Sequence, residues 1–134
     1  MRKATLRRLA LALALLAGCA TAHPTPEESA AAEALRIDGP TAFALAQRGA
    51  RIIDVRRPDE YAAGHIPGAV NIPYDEVAVR TSEVGSLDTE VIVYCRTGRR
   101  SAVAAETLVE LGYRHVHDLG PMSAWPAGPQ ALPQ

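Results

Sequence analysis

Cys95-Arg96-Thr97-Gly98-Arg99-Arg100 joins a short apolar run to a stretch with helical periodicity, and its residue types are the ones in this chain that could do covalent chemistry. Val91-Ile92-Val93-Tyr94 is β-branched and aromatic, the composition of a buried strand. From Ser101 to Leu111 apolar residues recur at helical spacing, with Ser101 placed as a cap and Gly112 as a stop. A thiol at the end of that strand faces the amino end of that helix, where unpaired backbone N–H groups converge and favour negative charge. The thiolate is the nucleophilic form of cysteine, and such surroundings stabilise it. Arg96, Arg99 and Arg100 add positive charge and N–H donors suited to a planar or tetrahedral oxyanion. The expectation is a nucleophile, Cys95, in an anion cradle formed by Arg96, Thr97, Gly98, Arg99 and Arg100.

The elements that must position this loop alternate along the chain. An Ala-rich helical stretch at residues 29–35 leads to a short strand at Arg36-Ile37, and an amphipathic helix over 41–48 stops at Gly49. Strand signals follow at 51–55, 69–72, 91–94 and 116–119. Pro58 opens a short helix, and a further helix is expected over 74–82. Strands alternating with helices predict an α/β fold with a mostly parallel sheet covered on both faces. Ligands of such sheets bind beyond the carboxyl ends of the strands, where Cys95 is placed.

The chain of 134 residues, 48% of them hydrophobic, has room for one domain around a single core. Arg2, Lys3, Arg7 and Arg8 precede an uninterrupted Leu/Ala run over 9–17, the pattern of an export signal too short to span a bilayer comfortably. The expected organisation is a lipoprotein signal peptide over 1–18, a tether over 19–34, the folded domain over 35–128 and a C-terminal tail over 129–134. Leu16-Ala17-Gly18-Cys19 resembles the lipobox of bacterial lipoprotein precursors. That resemblance implies cleavage before Cys19, lipidation of Cys19 and membrane attachment on the periplasmic side. Ala20 is not the aspartate that marks inner-membrane retention, which tilts the expectation toward the outer membrane. Without residues 1–18 the chain carries 10 arginines against 15 acidic residues, a formal net charge of −5. An acidic body argues against nucleic acid as partner and leaves positive potential concentrated in the Cys95 loop. A Cys19–Cys95 disulfide is the alternative use of the two thiols, and a lipidated Cys19 could not form it.

Four blocks in order carry a family resemblance. They are Ile52-Ile53-Asp54-Val55-Arg56 with Glu60-Tyr61; the stretch from Gly64-His65-Ile66-Pro67-Gly68 to Pro73; Val93-Tyr94 with Cys95 to Ser101; and Met122-Ser123-Ala124-Trp125. Together, over about residues 37–127, they resemble a rhodanese (sulfurtransferase) domain, in particular the small single-domain periplasmic type. The resemblance implies a five-stranded parallel sheet with helices on both faces, a nucleophile at Cys95 and no cofactor. It also implies a two-step transfer. Cys95 takes the sulfane sulfur of a small anionic donor such as thiosulfate, holds it as a persulfide, and passes it to a thiophilic acceptor, cyanide or a thiol. Pro121 stands where the family commonly has a second glycine, so a stiffer wall before Trp125 is expected.

Other residues invite sharper readings than they warrant. Asp54, Arg56 and Glu60 could be taken for an acid/base group, but the pattern is read as a buried salt-bridge network that fixes loop geometry. His65, among Gly64, Pro67 and Gly68, is read as a hydrogen bond holding a turn rather than a metal ligand or proton shuttle. His115 and His117 form no ligand set with Cys95, so no metal is expected. Trp125 is read as an anchor of the C-terminal segment. A phosphatase-type loop would carry an arginine six residues after the cysteine; Ser101 stands there, and Arg100 comes one residue early. The rival from another class is a non-catalytic or redox-sensing module at the membrane. Its mark would be a replaced nucleophile or a nearby resolving cysteine.

Overall fold

Periodicity along the chain is realised as alternating helices and strands in a computed structural model that describes His23 and residues 25–126. The expected signal segment, Cys19 and the 129–134 tail lie outside the described residues. The elements are α1 (Pro26–Ala34), α2 (Gly39–Gln47), β1 (Arg51–Asp54), α3 (Pro58–Ala62), β2 (Val70–Asn71), α4 (Thr81–Val84), β3 (Glu90–Cys95), α5 (Arg99–Glu110) and β4 (His115–Pro121). Single 3₁₀ turns occupy Val77–Val79 and Met122–Ala124.

The four strands form one sheet in the order β2-β1-β3-β4, and every pairing is parallel. Among the described residues the sheet therefore has four strands where five were expected. Arg36-Ile37 contributes only an isolated bridge, Arg36 opposite Asp118. Its backbone bonds run from Asp118 N–H to the Leu35 carbonyl (2.8 Å) and from Ile37 N–H to the Asp118 carbonyl (3.0 Å). The reason is local: Asp38 already caps α2, its Oδ1 accepting from Thr41 N–H at 2.9 Å, so too few residues remain after α1 for a longer strand.

β3 is the central, most apolar strand, and its side chains alternate between the two faces. Val91, Val93 and Cys95 point toward α5, where Ala104, Ala105 and Leu108 meet them. Ile92 and Tyr94 point the other way, into a second cluster with Ala42 and Leu45 of α2 and with Ile66. Phe43 meets Trp125 edge to face, ring centres 5.6 Å apart, so Trp125 does anchor the C-terminal segment.

Three further boundaries differ from expectation. The helix expected over 74–82 is broken into the Val77–Val79 turn and α4, with Arg80 between them bonding Glu76, Glu83 and the Asn71 carbonyl. α1 begins at Pro26, so part of the expected tether is helical; Ala31, Ala34 and Leu35 line a cleft there with Glu106, Val109 and Glu110 of α5. α5 begins at Arg99 rather than behind Ser101, because its cap is Gly98, held at φ +96° in the left-handed region that suits glycine.

Candidate active site

Cys95 is the last residue of β3, and its side chain is fully buried beneath the turn that leads into α5. The left-handed backbone at Gly98 folds that turn back over the sulfur, and the Gly98 N–H donates to Cys95 Sγ at 3.0 Å. The thiol donates to Ser101 Oγ at 3.6 Å, and the Ser101 hydroxyl donates to the Gly98 carbonyl at 3.1 Å. Ser101 is therefore not the helix cap that its position suggested. It lies buried in the first turn of α5 with a hydroxyl that can rotate from the carbonyl to a deprotonated sulfur. Burial pushes the thiol up, but the Ser101 hydroxyl and the N–H groups of Ser101, Gly98 and Thr97 outweigh it, and the net shift is downward. A buried sulfur ringed by donors is stabilised as the thiolate.

The loop arginines divide. Arg100 is clamped by Glu60 of α3, Nη1 to Oε2 at 2.7 Å and Nη2 to Oε1 at 2.9 Å. The Arg100 guanidinium, against the opposing effect of burial, holds the Glu60 carboxyl down at about 2. Arg96 and Arg99 are exposed and have no ion pair among the described residues. A cleft of about 500 Å³ on one side of the loop is lined by Arg57, Glu60, Tyr74, Asp75, Arg96 and Arg100, among others. A second, of about 380 Å³, is lined by Tyr74, Thr97, Arg99, Arg100 and Val103. Tyr74 and Arg100 are common to both, so the two hollows meet over the loop. Neither Tyr74 nor Arg57 was singled out from the sequence. Both come from turns after neighbouring strands, a placement that only the sheet order reveals.

Asp54 and Arg56 lie at the carboxyl end of β1, and they pair as expected. Arg56 Nη2 meets Asp54 Oδ2 at 2.6 Å, Nε meets Oδ1 at 3.0 Å, and the Arg56 N–H donates to Oδ1 at 2.9 Å. Arg56 Nη2 also donates to the Gly64 carbonyl at 2.7 Å. Tyr94, on the opposite face of β3 from Cys95, donates its hydroxyl to Asp54 Oδ2 at 2.7 Å and accepts from Ile66 N–H at 3.0 Å. Burial, above all, pushes the Tyr94 phenol upward, so it stays a donor. Asn71 completes the frame, its side-chain amide donating to the carbonyls of Asp54 and Arg56, each at 2.9 Å. Glu60 is not part of this network, contrary to expectation: it faces the Cys95 loop instead. His65 holds the turn, with Nδ1 2.9 Å from the Tyr61 carbonyl and its ring stacked on Tyr61. His117 pairs with Glu90 at 2.6 Å, at the opposite end of β3 from Cys95. Tyr94 was legible only as core. The missed signal was its register, one residue from the nucleophile and therefore on the other face.

The model of the family described as the rhodanese-like domain matches residues 40–127. The thiosulfate sulfurtransferase PspE of Escherichia coli K12 is 46% identical over 69 residues, which cover 51% of this chain and 66% of that protein, just under two thirds of its length. The thiosulfate sulfurtransferase GlpE of Pseudomonas entomophila is 38% identical over 93 residues, 67% of this chain and 83% of that protein. Among solved structures, a rhodanese with anions from E. coli superposes with a TM-score of 0.55 at 42% identity, over 58% of this chain and 95% of the other.

Proposed function

The chain belongs to the rhodanese-like domain family, and on that premise we propose that it is a sulfurtransferase with Cys95 as its nucleophile. The observation that carries the reading is the buried Cys95 sulfur 3.0 Å from the Gly98 N–H, with its thiol shifted downward despite burial. The relatives named thiosulfate sulfurtransferase support the donor class.

In the first step the Cys95 thiolate attacks the outer sulfur of thiosulfate. A new S–S bond forms, the donor's S–S bond breaks, and its electron pair leaves with sulfite. The remaining Cys95 persulfide is itself anionic near neutral pH, and the N–H groups that hold the thiolate face the new charge. In the second step cyanide or a thiolate attacks the outer sulfur, and the electron pair of the persulfide bond returns to Cys95. No group of the protein has to accept a proton once the thiolate is formed. Arg96 and Arg99, exposed and without ion pairs among the described residues, are the side chains suited to draw in the sulfonate end; Arg100, clamped by Glu60, shapes the loop. Membrane attachment through a lipidated Cys19 on the periplasmic side belongs to the same proposal and is supported by the sequence of residues 1–19 alone. Several acyl chains, each buried methylene contributing about 0.8 kcal/mol, would make such anchoring stable.

Purified protein incubated with thiosulfate should gain the mass of one sulfur atom on the Cys95 peptide and release thiocyanate when cyanide follows. Cys95→Ser should do neither, and turnover by that variant would refute the mechanism. An unmodified Cys19 in the membrane fraction, read by mass spectrometry, would refute the anchor.

A further inference from the structure

Against the Cys95 loop, outside the lining of the two clefts, lies an ion pair that the transfer chemistry does not use. Arg36, from the isolated bridge, places Nε 3.2 Å from Asp118 Oδ2 of β4. Asp118 is fully buried. Its Oδ1 accepts from Gly120 N–H at 2.8 Å, while Oδ2 makes no hydrogen bond and has the Arg36 guanidinium beside it. Burial pushes this carboxyl upward, with Glu33 adding to the rise, while the Ser101 hydroxyl, the Gly120 N–H and Arg36 pull it back.

The other end of the guanidinium rests on the loop. A Cβ placed on Gly98 would lie 3.2 Å from Arg36 Nη2, and one placed on Gly120 only 2.5 Å from Nη1. The guanidinium therefore occupies a notch that exists because residues 98 and 120 are glycines, and both hold positive φ, +96° and +79°. Gly98 is the residue whose N–H donates to Cys95 Sγ. A continuous chain of contacts thus runs from Asp118 through Arg36 and the Gly98 backbone to the reactive sulfur.

We propose that Arg36, oriented by Asp118, is a positioning residue for Cys95: its guanidinium packs behind Gly98, keeps that N–H aimed at the sulfur, and brings a fourth positive charge to the loop. Arg36 lines neither of the two clefts. It acts through Gly98, from a segment 59 residues before Cys95 in the chain. The inference rests on Cys95 being the nucleophile.

The test reads the thiolate directly, without sulfur transfer, by iodoacetamide alkylation of Cys95 across pH, beside a thermal melt of each protein. Arg36→Met should move the midpoint of the alkylation profile upward by about half to one unit and lower the rate at pH 7 about three- to tenfold. Asp118→Asn should move it by a smaller amount in the same direction. The double variant should shift the profile by less than the two single shifts combined, because Asp118 acts in part through Arg36, its remaining route being the Ser101 hydroxyl. An Arg36→Met profile that overlays the wild type, whatever its melting temperature, overturns the inference, and so do single effects that multiply in the double variant. Where Arg36→Met does not fold, the near-isosteric Asp118→Asn decides alone, an unmoved profile overturning the inference. A wild-type profile midpoint no lower than that of an ordinary cysteine overturns the nucleophile reading as well, which separates the two failures.

Discussion

Two neighbouring strands end side by side with opposite uses of charge. β1 ends in Asp54, which stands opposite Tyr94 in the sheet, and β3 runs one residue further to Cys95. At the β1 end a carboxylate, a guanidinium and a phenol satisfy one another in a buried frame. At the β3 end the sulfur is met chiefly by backbone N–H groups and one hydroxyl, with Arg96 and Arg99, which have no ion pair among the described residues, outside. The first arrangement has no unmet charge and therefore fixes geometry. The second leaves a reactive anion held by dipoles that an incoming sulfur can share. Position at the carboxyl edge of a sheet is common to both; what separates structure from chemistry is whether a charged side chain closes the circuit.

The contrast can be broken most severely from the β1 side. Arg56→Met leaves Asp54 buried without its counter-charge and should cost about 3–5 kcal/mol of stability in a denaturant titration, while the alkylation profile of Cys95 in the remaining folded protein stays nearly unchanged. Gly98→Ala attacks the other side. A Cβ is strained at φ +96° and presses on Arg36, so the N–H leaves the sulfur, and persulfide formation from thiosulfate should fall roughly 100-fold in rapid-quench measurements at a stability cost of only about 1–2 kcal/mol. Ser101→Ala removes the rotating hydroxyl and should slow the same step about tenfold, the loss of one hydrogen bond to a charged partner. The smallest effect is expected at Glu60, which joins α3 to the Cys95 loop through Arg100. The Glu60 carboxyl is held at about 2 against 4.5 when unpaired. Because the folded value is the lower one, its stabilising contribution is complete above about pH 4.5 and fades as pH falls through about 2. Glu60→Gln should flatten that acid limb in thermal melts and change transfer at neutral pH by no more than about threefold. A large neutral-pH loss would move Glu60 to the β3 side of the comparison.

The parts of this site legible in the sequence were those written in contiguous residues. Val91 to Arg100 shows a strand, a thiol and a basic turn in one stretch, and Asp54-Val55-Arg56 shows its pair two residues apart. What the sequence hid depended on contacts across the sheet. Tyr94 reaches Asp54 from 40 residues away, and Glu60 leaves its apparent partners for Arg100, also 40 residues on. Arg36-Ile37 looked like a strand and is a single bridge, because the cap of α2 follows too soon. Ser101 looked like a cap since its type favours caps. The left-handed turn at Gly98 had already taken that place.

The depth of Cys95 has a consequence for how the molecule meets copies of itself. A disulfide needs its two Cα atoms within roughly 7 Å, and a sulfur with no exposed surface, roofed by its own turn, cannot bring a second such sulfur that near. Two molecules of this chain should not become cross-linked through Cys95 under oxidation, even though the thiol is activated. Growth outward by a single atom, as in a persulfide, is the change this geometry leaves open, so the fold protects its nucleophile from self-coupling by shape alone.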